Sequence, residues 1–215
     1  MKRLAWISSG LIIILIAAFT YVAVIPPSGA RTLRQFDADR VADLEVSMWQ
    51  AYYAKERARL FGLLVTMLRE QYHYSWATAV REGFHLARAA VIFGDARGNY
   101  EALVLPDLEQ AYAAAKDWLG ADFDPATVAR AELAWWVARR VPEEDSPEHV
   151  GALMAHAYAL LYEAPETGLA PAATLRARAA KLRDAQAQQP DWQAIGQLLR
   201  QSYRDLHAAL HSDAR

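Results

Sequence analysis

The chain has 215 residues, of which 54% are hydrophobic and 22% charged, with a formal net charge of −2 and no cysteine. That length suits one well-buried domain and is short for two. A near-neutral balance argues against nucleic-acid binding, and the lack of cysteine rules out disulfides, thiolate metal sites, cysteine nucleophiles and c-type haem attachment.

Leu4 to Ile25 contains no charged residue. As a helix these 22 residues span roughly 33 Å, against a hydrocarbon core of about 30 Å. Trp6 and Tyr21 stand near its ends, where aromatic rings favour headgroups, and Pro26-Pro27 stop the helix. Residues 1–27 therefore read as a single transmembrane anchor and residues 28–215 as the domain behind it. The competing reading is a cleaved signal peptide, with Lys2 and Arg3 leading and Ser28-Gly29-Ala30 as the cleavage site. The apolar run exceeds the about 7–15 residues of a signal core, which favours retention. A short Lys2-Arg3 tail before a first span places the domain outside the cytoplasm, on the periplasmic or outer face. Arg31, Arg34 and Arg40 behind the span make that charge bias small.

Beyond Pro27 the periodicity is helical, and no strand pattern stands out. Val41, Leu44, Met48 and Tyr52 recur at three- and four-residue steps and predict a helix from Asp37 to Lys55, extending into Leu60–Leu68 with a kink at Gly62. Ser75 is an N-cap for a helix whose apolar stripe is Trp76, Val80, Phe84, Ala87 and Val91, ended by Gly94-Asp-Ala-Arg-Gly98. Pro106 opens a helix to Leu119, and Asp124-Pro125 opens another through Arg140. After an acidic loop from Pro142 to Pro147, His149–Tyr162 is helical with Val150, Leu153, Ala157 and Leu161 as its stripe. Pro171 begins an Arg-rich helix, and Asp191 caps the last, whose seam is Ile195, Leu199, Ser202 and Leu206. The expectation is an all-α, irregular bundle of six to eight helices after one N-terminal transmembrane helix.

Glu82-Gly-Phe-His85 has the Glu-x-x-His spacing of di-iron carboxylate bundles, in which i and i+3 share a face. With the stripe centred on Trp76 to Val91, both residues point away from the core, and a solvated face is the preferred reading. Glu45 sits close to the centre of its helix's apolar stripe, and Glu132 lies in Ala131-Glu-Leu-Ala-Trp-Trp-Val-Ala-Arg139, apolar nearly all round. Carboxylates so placed are costly unless paired, protonated or metal-bound. A buried network with arginines is the preferred reading, and a metal or proton-transfer site from Glu45 and Glu132 with His85 or His156 is the alternative. Arg176, Arg178, Lys181 and Arg183 give the Arg-rich helix a basic face. No phosphate loop, zinc-protease motif or nucleophile elbow is present, and no cofactor is implied.

The residues Leu44-Glu45, Trp49, Tyr52 and Tyr53, Leu68-Arg-Glu-Gln-Tyr72, Leu105-Pro-Asp-Leu108 and Glu132-Leu-Ala-Trp-Trp136 resemble a family of uncharacterised bacterial membrane-anchored helical proteins over nearly the whole chain. The resemblance implies an N-terminal span before a helical domain and carries no activity. The functional expectation is a non-catalytic accessory protein, anchored in the bilayer through Leu4–Ile25 and docking on other membrane subunits. Trp135, Trp136, Arg176 and Arg183 are its candidate interaction residues. The alternative is a membrane-tethered carboxylate-metal enzyme or metal carrier built on Glu45 and Glu132.

Overall fold

The computed structural model describes residues 17, 20–25 and 27–212, and among them the regular structure is helical throughout. Eight helices make the domain: α1 (Ala38–Tyr53), α2 (Arg57–Gln71), α3 (Trp76–Asp95), α4 (Tyr100–Leu119), α5 (Pro125–Ala138), α6 (Pro147–Tyr162), α7 (Glu166–Ala185) and α8 (Trp192–Ser212). Residues 20–24 are also helical. Among the described residues no helix is long and apolar enough to cross a membrane. Most of the Leu4–Ile25 stretch lies outside the described residues.

Local chemistry sets the starts of these helices. Asp37, Ser75, Asp124 and Ser146 each accept a hydrogen bond from the backbone N–H three residues on, satisfying an otherwise orphaned donor. Asp191 does the same for Gln193 and Ala194. The connections are short, three residues between α1 and α2 and eight between α5 and α6, so successive helices pack as neighbours. Each helix packs on its neighbours in the chain, and α8 returns to pack on α1. The eight helices thus form a closed circuit. Arg204 holds Asp39 through two 2.8 Å hydrogen bonds and Arg200 holds Asp43 at 2.6 Å, an antiparallel ladder where the circuit closes.

Several sequence expectations are corrected. α1 and α2 are separate helices, broken at Lys55, which takes φ 60°, while Gly62 lies inside α2. Pro106 and Pro171 do not open helices but lie inside α4 and α7. Both prolines are exposed, as are Ala102 and Thr167 four residues before them, so the carbonyls that lose a helical donor can be hydrated. The buried face of α3 also departs from the expected stripe, of which Ala87 alone is buried. Ala79, Glu82, Gly83, Ala87, Ala89 and Phe93 are buried, whereas Trp76, Val80 and Phe84 are exposed.

Small residues set the close helix approaches. At Gly151 in α6 a Cβ would stand 2.8 Å from both the Cα and the Oγ1 of Thr174 in α7. The backbone atom cannot swing aside. Gly151→Val is expected to cost about 1–3 kcal/mol through overpacking, as a lowered urea midpoint followed by circular dichroism. An unchanged midpoint would show that α6 and α7 slide freely on each other.

Candidate functional site

Within the circuit lies a cavity of about 530 Å³ to which all eight helices contribute side chains. Eight of the ten tyrosines line it: Tyr52, Tyr53, Tyr72, Tyr74, Tyr112, Tyr158, Tyr162 and Tyr203. Trp49, Trp135 and Trp136 join them, with Met48, Leu64, Leu86 and Phe93 among the apolar parts of the wall. Glu45, Glu82 and Glu132, from α1, α3 and α5, bring three carboxyl groups to it. A second cleft of about 200 Å³ shares Tyr52, Tyr53, Leu60 and Arg140 with the cavity and adds the exposed Lys55 and Arg57.

The first polar centre joins α1 to α7. Arg176 donates to Glu45 Oε1 from Nε at 2.8 Å and from Nη2 at 2.5 Å, and its guanidinium lies 5.0 Å from the Trp135 ring centre. Glu45 is 2% exposed. Burial works against the Arg176 charge, but the adjacent Glu45, helped by Tyr158 and Tyr203, outweighs it and holds the group well above its ordinary pKa. Burial pushes the Tyr158 hydroxyl up to about 12, and it also raises Tyr72, Tyr162 and Tyr203, so this wall presents neutral phenols.

The second centre joins α3, α4 and α5. Burial pushes the Glu82 carboxyl up to about 8, with the Tyr74 hydroxyl and Arg81 partly opposing it. It is therefore largely protonated at neutral pH. Glu132 accepts from Trp136 Nε1 at 3.0 Å, one turn on along α5. Burial, then Glu132 and Glu82, push Tyr112 well up. The third centre closes the end beside the smaller cleft. Arg139 donates to Asp184 at 2.7 Å and to the Tyr53 hydroxyl at 3.1 Å, while Arg183 covers the Tyr53 ring.

Five buried polar atoms on residues of this wall make no hydrogen bond of good geometry: Glu45 Oε2, Trp135 Nε1, Arg139 Nε, and the Tyr74 hydroxyl and Glu82 Oε2, whose two groups are near enough to each other to oppose the rise in the Glu82 pKa. Most buried polar groups are paired, and each exception calls for an explanation. A cavity of this volume whose wall is largely apolar and carries a few polar side chains is the form of a small-molecule site.

The sequence-derived candidates therefore divide. Glu45, Glu132, Trp135 and Trp136 come together at the cavity, with Arg176 as the partner of Glu45. Arg176 and Arg183 have side chains 15% and 13% exposed, so they do not belong to the basic outer face expected of α7. Arg178 and Lys181 do, paired with Glu148 and Asp145. Glu82 is corrected from a solvated position to a buried one at 7% exposure. His85 instead pairs with the buried Asp107 at 2.8 Å, and His156 pairs with Glu166 at the surface at 3.2 Å. Neither imidazole lines the cavity. Among the described residues no three His, Cys, Asp or Glu side chains are grouped so as to hold a metal ion. The tyrosine wall was missed in the sequence. Its signal was the set of Tyr72, Tyr74, Tyr112, Tyr158, Tyr162 and Tyr203, which have no common spacing because they converge from four different segments.

No family model, curated protein or solved structure matches this chain. The cavity has to be read from its own chemistry.

Proposed function

We propose that this chain is a membrane-tethered binding protein whose cavity takes one small molecule with an apolar body and hydrogen-bonding groups. The observation that carries the reading is the cavity itself, about 530 Å³ and walled by eight tyrosines and apolar side chains around three carboxyl groups. Eight tyrosines line the cavity, and a phenol hydroxyl can both donate and accept. The volume of about 530 Å³ matches the few hundred Å³ of ordinary ligand pockets.

The tether is the uncharged Leu4–Ile25 segment, with the domain on the periplasmic or outer face as the Lys2-Arg3 tail favours. The accessory role fits this arrangement. A tethered, non-catalytic subunit would present its ligand to other subunits in the same bilayer.

The test uses the cavity's own small residues. Ala90 and Ala115 line it, and Ala90→Phe or Ala115→Phe would each fill part of it with an apolar ring. The full chain and both variants are purified, denatured and extracted with organic solvent, and the extracts are compared by mass spectrometry. One species is expected to be depleted at least tenfold in both variants, with helical circular dichroism retained. Identical extracts from variants of unchanged fold would remove the binding role.

A further inference from the structure

Large apolar side chains are exposed on this domain in one region. Outside residues 20–25, those among the described residues are Trp76, Val80 and Phe84 on α3 and Leu103 on α4. The first three recur every four residues, so they form one stripe along α3. Trp76 is 45% and Phe84 51% exposed, well above what a residue packed on a neighbouring helix shows. The charged residues exposed on α3 before its last turn are Arg81 and Arg88, both cationic. Each meets an aspartate of α4, Arg81 with Asp117 at 3.3 Å and Arg88 with Asp107 at 3.3 Å, yet both guanidinium side chains remain more than half exposed. A third, that of Arg69, stacks over the Trp76 ring at 4.4 Å.

The chain's own route indicates what this face meets. Gly29 is packed so closely on His73 that a Cβ there would lie 2.5 Å from the ring. The Arg31 guanidinium lies 4.4 Å over the Trp118 ring, and Trp118 in turn packs on Tyr74 with ring centres 5.4 Å apart. Residues 29–31 are thereby held at the end of the α3–α4 pair where the stripe begins. Three residues separate Ile25 from Gly29, and the four steps between them reach at most about 14 Å.

We propose that the Trp76–Val80–Phe84 face is a docking surface for the lipid bilayer, which seats the domain on an anionic headgroup region beside its own tether. The proposal rests on the tether inferred above. Apolar and aromatic side chains enter the headgroup boundary while arginines meet anionic lipid, the division of labour of a helix lying in the interface. Trp76 suits the boundary itself, where amphipathic aromatic rings concentrate.

The absence of cysteine allows single labels to be placed at will. The full chain carrying a spin label at V80C or F84C is reconstituted in vesicles of phosphatidylcholine, with or without phosphatidylglycerol. R178C on α7 is the reference, at an exposed position on another side of the circuit. Collision with lipid-soluble oxygen is compared with collision with a water-soluble nickel chelate. The oxygen-to-nickel ratio is expected to be several-fold higher at 80 and 84 than at 178, and to rise with phosphatidylglycerol. Equal ratios at all three positions would overturn the proposal. Labels at 80 and 84 shielded from both reagents would also overturn it, and would mean that a second copy or another subunit covers the face. An alkaline carbonate wash tests the tether separately. A chain released by the wash after showing the high ratio would lose the tether and keep the surface.

Discussion

Replacing Arg176 with methionine is expected to destabilise the domain by about 3–5 kcal/mol, the range for removing one partner of a buried ion pair. Both donated hydrogen bonds to Glu45 come from this guanidinium, and Glu45 Oε2 already lacks a partner. The variant would leave a buried carboxylate with neither charge nor hydrogen bond to oppose it. Methionine keeps much of the bulk against Trp135, so packing loss stays small beside the electrostatic term. Glu45→Gln in the same chain is expected to restore most of the loss, because a neutral amide removes the orphaned charge. For a chain of this size, thermal melts would show about 2–4 °C per kcal/mol. Four melts complete the cycle and isolate the coupling between α1 and α7. If Arg176→Met melts like the parent chain, water reaches Glu45 through the cavity, and the pair is not what holds α7 against α1.

This pair also marks how far the sequence could be read. Glu45 was placeable because its own helix determines it: Val41, Leu44 and Met48 fix the inward side within one turn in either direction. Its partner was not, since Arg176 lies 131 residues away and shares its helix with Arg178 and Lys181, which do face outward. Caps were legible for the same local reason, as Ser75, Asp124 and Asp191 act within three residues of themselves. The side of α3 was not legible by residue size. Trp76, Val80 and Phe84 form the larger apolar stripe, but the bundle packs on the smaller one. A Cβ on Gly83 would stand 3.1 Å from Val65 Cγ2, so α2 approaches α3 over small side chains and the large ones are left outside. Reading apolar bulk as buried surface therefore put Glu82 on the wrong face. The cavity was illegible for a further reason. It belongs to the closure of α8 on α1, and no segment of the chain contains that closure.

Glu82 provides the other large expected effect, as a pH dependence. Its carboxyl, ordinarily near 4.5, is pushed up to about 8 by burial in the folded chain. Between those values the folded protein keeps a proton that the unfolded chain has released. The unfolded state is therefore favoured progressively as pH rises from about 4.5, and the loss levels off above about 8. At about 1.4 kcal/mol per pH unit the full span amounts to at most about 5 kcal/mol. Glu82→Gln keeps a neutral side chain of the same shape and has no proton to lose. The variant is expected to match the parent chain near pH 4.5 and to exceed it by a few kcal/mol at pH 8, measured as the difference between urea unfolding curves across that range. Taking the difference cancels every titrating group that the two chains share. Parallel curves from pH 4.5 to 8 would show that Glu82 ionises freely inside the fold. The cavity would then offer its ligand a carboxylate at this position rather than a protonated acid able to donate a hydrogen bond.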